Sequence, residues 1–132
     1  VSAYTINATS GALTPVAGSP FAAGGFPLAV AVDPSGKFVY VANETSNDVS
    51  AYTINATTGA LTPVSGSPFA AGSVPFGVAV DPSGKFVYVA NQGSNNVSAY
   101  SINAASGALA PVAGSPFAAG TNPFGVAVAR MQ

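Results

Sequence analysis

The chain lacks the residues that most often perform catalysis and bind metal ions. Among its 132 residues there is no cysteine, no histidine and no tryptophan. Without cysteine the protein has neither disulfides nor thiolate metal sites, and without histidine it lacks the side chain that titrates nearest neutral pH. We therefore predict a protein that is not an enzyme, has no cofactor, and has no catalytic, cofactor-binding or metal-binding residues.

Charged residues are scarce as well. They make up 5% of the sequence and leave a net charge of −1 at pH 7, whereas soluble domains contain about 25%. The charged residues are Asp33, Lys37, Glu44, Asp48, Asp81, Lys85 and Arg130. Because so few cations cannot form the basic patch that holds a phosphate backbone, we expect no nucleic-acid partner.

Long apolar runs are missing, although 48% of the residues are hydrophobic. The longest runs, such as residues 26–32, fall far short of the roughly 18 residues that a membrane-spanning helix requires, so we predict no membrane span. No basic segment followed by an apolar one opens the chain, so a secretion signal would have been removed or would lie outside it. Low charge and many small polar residues favour a secreted or cell-surface location.

What the sequence does contain is one unit of 48 residues, repeated almost three times. The units are residues 1–48, 49–96 and 97–132, the third being truncated, and together they form a single array over residues 1–132. The first two units differ at 9 of 48 positions. A period of this size indicates supersecondary units that stack on one another, so the function belongs to the array.

Each unit contains four short extended runs and no run with helical spacing of apolar residues. One full set of these runs, which begins in the middle unit and ends in the third, is residues 76–80, 86–90, 97–102 and 108–112. The second run is apolar on both faces, which is typical of a strand between two layers. The last run contains Pro111, which cannot donate to a ladder and therefore belongs at a sheet edge. Four antiparallel strands followed by a long connector are the pattern of a β-propeller blade.

Two motifs make this assignment specific. Tyr40-Val41-Ala42-Asn43 and Tyr88-Val89-Ala90-Asn91 each follow the run Asp-Pro-Ser-Gly-Lys-Phe-Val. This pattern resembles the YVTN-type repeat of lactonase-like β-propellers, a group that includes 6-phosphogluconolactonase and surface-layer propellers, with Ala here in place of Thr. The resemblance implies the propeller fold over nearly the whole chain. The lactonase sites it implies contain His and Arg from several blades, and none can be mapped because the only Arg is Arg130.

The predicted fold is an incomplete all-β propeller of about 2.75 blades. With strands lettered A to D from the propeller axis outwards, the frame is C-D-A-B-C-D-A-B-C-D-A, which is eleven strands. In the third unit Ala129 stands where Asp81 begins a turn, and residues 130–132 replace the remainder of that turn. Since propellers have about 4–8 blades, the open blade faces predict self-association into a homo-oligomeric ring or a filament.

Three functions follow from this fold. The first is a non-enzymatic structural protein that assembles through its blades. The alternatives are a fragment of a larger lactonase-like propeller hydrolase and a carbohydrate-binding propeller, although no residue pattern specifically supports glycan binding. Fold alone does not decide among them, because one architecture serves many functions.

Few side chains are candidates for a site, and each also has a structural explanation. Asp33 and Asp81 could form a pair of carboxylates, but each begins a Pro-Ser-Gly turn that uses an Asp to accept backbone N–H groups. Lys37 and Lys85 follow those turns, and we expect them to be solvated.

Two further sets of residues are candidates for a site. Glu44 and Asp48 could bind calcium, but the second unit has Gln92 and Asn96 in their places, so they do not form a repeated ligand shell. The five tyrosines could line a sugar-binding groove, but packing between blades is the favoured interpretation. They are Tyr4, Tyr40, Tyr52, Tyr88 and Tyr100.

Overall fold

The computed structural model describes residues 1–129, which form twelve β-strands and no helix. The described residues accordingly contain no helix that could cross a membrane. The strands are β1 (Tyr4–Ile6), β2 (Leu13–Pro15), β3 (Pro27–Val32), β4 (Phe38–Asn43), β5 (Asp48–Ile54), β6 (Leu61–Pro63), β7 (Phe69–Ala70), β8 (Pro75–Val80), β9 (Phe86–Asn91), β10 (Asn96–Ile102), β11 (Leu109–Pro111) and β12 (Phe117–Ala118).

The strands form three antiparallel sheets, one for each blade. Blade 1 contains β1 and β2, blade 2 has the order β3-β4-β5-β6, and blade 3 has the order β8-β9-β10-β11. In blades 2 and 3 the strand order therefore follows the chain from the inner strand A to the outer strand D. The all-β fold and the incomplete array of propeller blades predicted from the sequence are confirmed.

Two details differ from the expected strand frame. The connector after strand D contributes the short strands β7 and β12, which pair with β5 and β10. This pairing is available because strand D covers only three residues at one end of the longer strand C. Residues 123–129 are not a strand, since none of the described residues pairs with them. They still lie beside β8, because the Phe76 and Phe124 rings meet edge to face at 4.8 Å. Residues 130–132, including Arg130, lie outside the described residues.

Strand β4 is buried along its whole length, as expected for a strand between two layers. On one side Val39 and Val41 belong to a cluster against which Val1 packs. On the other side Tyr40 packs in one cluster with Val89 of blade 3. Stacking of adjacent blades therefore buries both faces of the middle strand, which accounts for its lack of polar residues before the terminal Asn43.

Three tyrosines join neighbouring blades through their hydroxyl groups. Tyr40 donates to the carbonyl oxygen of Gly107 in blade 3 at 3.0 Å. Tyr100 donates to the carbonyl oxygen of Ala70 at 2.6 Å, and Tyr52 donates in the same way to the connector that precedes blade 2. All three side chains are buried, so their rings lie between blades and offer no open face to a sugar.

The inner strand of blade 2 has one uncovered apolar face. Leu28, Val30 and Val32 are 38%, 59% and 54% exposed. Their counterparts Val78 and Val80 pack against the core between blades 2 and 3. Strands β1 and β2 cover only the outer part of blade 2, so this inner face lacks a neighbouring strand among residues 1–129.

Candidate functional site

The blades have two edges of different character. The B–C loops and the starts of the inner strands lie at one edge, here called the loop edge; the A–B and C–D turns lie at the other, here called the turn edge. The loop edge comprises residues 24–26, 43–48, 72–74, 91–96 and 120–122. The turn edge comprises residues 7–12, 33–37, 55–60, 81–85 and 103–108.

Differences between the repeats concentrate at the loop edge. The nine positions that differ between the first two units are Ser10/Thr58, Ala17/Ser65, Gly25/Ser73, Phe26/Val74, Leu28/Phe76, Ala29/Gly77, Glu44/Gln92, Thr45/Gly93 and Asp48/Asn96. Five of these pairs lie in the loop edge and two more lie near the start of the inner strand. The repeated scaffold is thus nearly constant, and the sequences of the blades differ mainly at the loop edge. Loops held by a rigid fold commonly carry function.

The loop edge also contains unusual backbone conformations. Phe26, Val74 and Asn122 occupy the same position in the three units and have φ angles of 52°, 55° and 51°. Left-handed φ values are rare for bulky or β-branched residues, and each costs on the order of 1–3 kcal/mol. Beside them the pairing register shifts between Pro27 and Ala29. Strain and bulges of this kind are concentrated at functional sites.

Hydrogen bonds from the preceding blade hold two of these three strained residues in place. The Val74 N–H donates to Asn47 Oδ1 at 2.9 Å, and the Asn122 N–H donates to Asn95 Oδ1 at 2.8 Å. Asn47 and Asn95 are themselves left-handed, with φ angles of 58° and 54°. The carbonyl oxygen of Val74 accepts from the Gln92 N–H at 2.9 Å. Contacts that cross the blade boundary therefore help to hold Val74 and Asn122 in this conformation.

A buried amide supports the B–C loop in each complete blade. Asn43 Nδ2 donates to Asp48 Oδ1 at 2.6 Å and to Ser50 Oγ at 2.9 Å. Asn91 makes the corresponding bonds in blade 3, and its Oδ1 also accepts from the Gly72 N–H at 3.2 Å. Asn43 Oδ1 is buried without a partner. The asparagine that ends each motif thus has a structural role beneath the loop edge.

The carboxylates at the turn edge are structural, as the turn interpretation predicted. Asp33 Oδ1 accepts from the N–H groups of Lys37 and Phe38, both at 2.7 Å, and Oδ2 accepts from the N–H and hydroxyl of Ser35. Burial alone raises the pKa of Asp33, but the bonds from Ser35, Phe38 and Lys37 outweigh it and lower that pKa. Asp81 has the same arrangement.

The Asp33 turn gives a pH-dependent prediction. Because its pKa is lowered on folding, ionised Asp33 stabilises the fold above its unfolded pKa of about 3.9, and that contribution disappears as pH falls through the folded value. We expect Asp33→Asn to reduce the free energy of unfolding at pH 7 by about 1–3 kcal/mol, and by much less near pH 2. Urea denaturation at both pH values measures this difference. An equal loss at both would contradict the proposed role of the carboxylate charge.

The remaining charged residues do not assemble into a metal site. Glu44 and Asp48 lie at the loop edge, whereas Lys37 and Lys85 lie at the turn edge. No group of three potential acidic, histidine or cysteine ligands occurs within residues 1–129. A cavity of about 390 Å³ lies at the turn edge between blades 2 and 3, beside Asp33. Because the Asp33 carboxylate already accepts the hydrogen bonds of its turn, it is not a free reactive group in this cavity.

Comparison with known families identifies the blades. The model of the lactonase family, described as a 7-bladed β-propeller, matches residues 1–72 and 66–124. The chain belongs to this lactonase family. Its three blades are therefore lactonase-type blades, and the resemblance carried by the two Tyr-Val-Ala-Asn motifs is confirmed. A search of curated proteins finds no match.

Solved structures show the same fold. A candidate 6-phosphogluconolactonase of Bacteroides fragilis superposes with a TM-score of 0.79 at 20% identity, covering 92% of this chain and 34% of that one. A protein of Lactobacillus plantarum gives 0.78 at 22%, covering 94% and 37%. A periplasmic gluconolactonase of Pseudomonas aeruginosa gives 0.73 at 21%, covering 91% and 34%. The chain thus spans about a third of the length of these proteins.

These comparisons correct one prediction. The expectation of a non-enzymatic protein is wrong, because the chain belongs to a lactonase family and proteins of similar fold are named as lactonases. Because the chain covers only 34% of the Bacteroides fragilis protein, its lack of histidine does not exclude catalysis. Sequence reasoning also missed the loop edge. The signal was available, since residues 25, 73 and 121 all differ, as do residues 26, 74 and 122.

Proposed function

We propose that these blades belong to a propeller hydrolase that opens a sugar lactone, and that the loop edge forms part of the substrate-binding wall. The family match over residues 1–72 and 66–124 carries this proposal. The concentration of strain and of repeat differences at the loop edge supports its location. Names of the similar solved proteins, which include a gluconolactonase, support the substrate class.

Lactone hydrolysis requires more than these blades supply. Water attacks the carbonyl carbon, the ring C–O bond breaks, and the oxyanion that forms must be stabilised while a base removes a proton from the water. Glu44 and the neutral loop-edge side chains can bind and orient substrate hydroxyls. We place the groups that activate water and stabilise the oxyanion on further blades of the same polypeptide, since the chain spans about a third of the length of similar propellers.

The uncovered face of β3 fits the same proposal. We place a further inner strand of the polypeptide over Leu28, Val30 and Val32, which are exposed in this chain. Neither the structure nor the comparisons support the ring or filament of chains expected from the sequence. A location outside the cytoplasm stays a proposal, supported by the 5% charge content and by the periplasmic name of one similar protein.

Hydrolysis by the complete polypeptide tests the proposed function. Glucono-δ-lactone opening would be followed by acid release at constant pH, after subtraction of the spontaneous rate. We expect saturable catalysis with a turnover number in the usual range of about 1–1,000 per second. A rate equal to the spontaneous one across a panel of five- and six-membered sugar lactones would overturn the proposal. Light scattering on the same sample is expected to give a monomer, and a ring or filament would instead favour self-association.

A further inference from the structure

We propose that the loop edge selects a neutral, polyhydroxylated lactone and disfavours a substrate that carries a phosphate group. This inference rests on the proposed function and specifies the substrate class at the same edge. Three observations support it: the sign of the loop-edge charges, the use of its backbone N–H groups, and the side chains that remain exposed.

The ionisable side chains at the loop edge are both acidic. They are Glu44 and Asp48, and no lysine occurs in the loop-edge residues. Lys37 precedes β4 and lies at its opposite end. Six strand residues at about 3.3 Å each separate the two edges by roughly 20 Å, which exceeds the screening length of about 8 Å at physiological salt. Among residues 1–129, a phosphate at the loop edge would therefore face repulsion from these carboxylates without attraction from the lysines.

Backbone amides do not replace the missing cations. Free N–H groups in loops can form anion-binding sites, but those of the blade 3 connector are already engaged. Gly72, Ser73 and Val74 donate to side-chain oxygens of adjoining loops at 3.2, 2.6 and 2.9 Å. Gln92 and Gly93 donate to carbonyl oxygens of the connector. In blade 2 the N–H groups of Gly24, Gly25, Glu44 and Thr45 are engaged in corresponding bonds, so these amides are not available to a phosphate.

The exposed groups that remain suit a sugar. Thr45 is exposed and Gln92 is half-buried, and both carry neutral polar groups that can exchange hydrogen bonds with hydroxyls. The half-buried Glu44 carboxylate is an acceptor for hydroxyl donors. The Phe26 ring is 62% exposed and offers an apolar surface to the C–H face of a sugar ring. Hydrogen-bond acceptors, neutral polar groups and one aromatic face match a polyol and do not match a dianion.

Two substrates separate this inference from the proposed function. The complete polypeptide would be assayed with glucono-δ-lactone and with its 6-phosphate, each corrected for spontaneous opening. We expect kcat/KM for the neutral lactone to exceed that for the phosphorylated lactone by about tenfold or more, because the phosphate adds an unfavourable interaction between like charges. A preference for the phosphorylated lactone would overturn the inference and leave the proposed function standing. Hydrolysis of neither substrate would overturn the proposed function.

Matched variants test the role of charge at this edge. The ratio of kcat/KM for the phosphorylated to the neutral lactone should rise about two- to fivefold in Glu44→Gln, with a larger change at low salt. Gln92 occupies the same position in blade 3, so Gln92→Glu should lower that ratio by a similar factor. Lys37→Gln, at the turn edge, should leave it unchanged. An unchanged ratio in both loop-edge variants would contradict the proposed selection by charge.

Discussion

Replacement of Tyr40 by aspartate is expected to cost about 3–5 kcal/mol of folding free energy, a large part of the roughly 5–15 kcal/mol that stabilises a typical domain. Tyr40 is 0% exposed and its hydroxyl reaches the carbonyl of Gly107 in the next blade. Burial, reinforced by the charge of Asp33, raises the pKa of Tyr40, which shows how poorly this site accommodates a negative charge. Denaturant titration followed by circular dichroism would measure the loss.

Tyr88 provides the matched control for this variant. It has the same motif position in blade 3 but is only half-buried. Tyr88→Asp should therefore destabilise the chain by clearly less than Tyr40→Asp. Tyr40→Phe, which removes only the hydroxyl that donates to Gly107, should cost about 1–2 kcal/mol. Equal losses for the two aspartate variants would contradict the packing of Tyr40 between blades 2 and 3.

Gly107→Ala is expected to reduce the free energy of unfolding by about 2–4 kcal/mol, combining left-handed strain with overpacking. Gly107 has a φ angle of 76°, and an added Cβ would lie 2.4 Å from Phe38 Cδ1 and 2.6 Å from Cε1. Phe38 belongs to blade 2 and is itself buried, so it cannot move away easily. Thermal and urea denaturation would give the difference.

A substitution at Gly11 separates the cost of left-handed strain from the cost of overpacking. Gly11 occupies the equivalent turn before blade 2, has a φ angle of 72°, and has no atom within 4 Å of an added Cβ. Gly11→Ala should therefore show only the conformational cost, about 1 kcal/mol. A loss at Gly107 no greater than at Gly11 would show that Phe38 does not contact the blade 3 turn as the structure places it.

The strands were predictable because each repeats a local pattern with one structural explanation. Pro111 indicated that its strand lies at the outer edge of the sheet. Apolar residues on both faces of residues 86–90 indicated a strand between two layers. The Asp33 turn followed from Asx chemistry alone. Repetition made these inferences stronger, since every unit had to satisfy the same fold.

Long-range contacts explain what could not be predicted. The left-handed residue Val74 donates its N–H to Asn47, which lies 27 residues earlier in the preceding blade, so no local sequence pattern reveals this contact. The pairing of β7 with β5 depends on how short strand D is. The lactonase-like hydrolase was an alternative and not the preferred prediction for another reason, because reacting groups need not occur in every blade of a propeller.

Location of the substrate at the loop edge is tested most directly by determining the structure of the complete polypeptide with bound D-gluconate, the product of glucono-δ-lactone hydrolysis. We predict gluconate at the inner end of the loop edge, within contact distance of Phe26 or Val74 and of the loop that carries Glu44. Gluconate bound at the turn edge, in the cavity beside Asp33 and Lys37, would contradict this location.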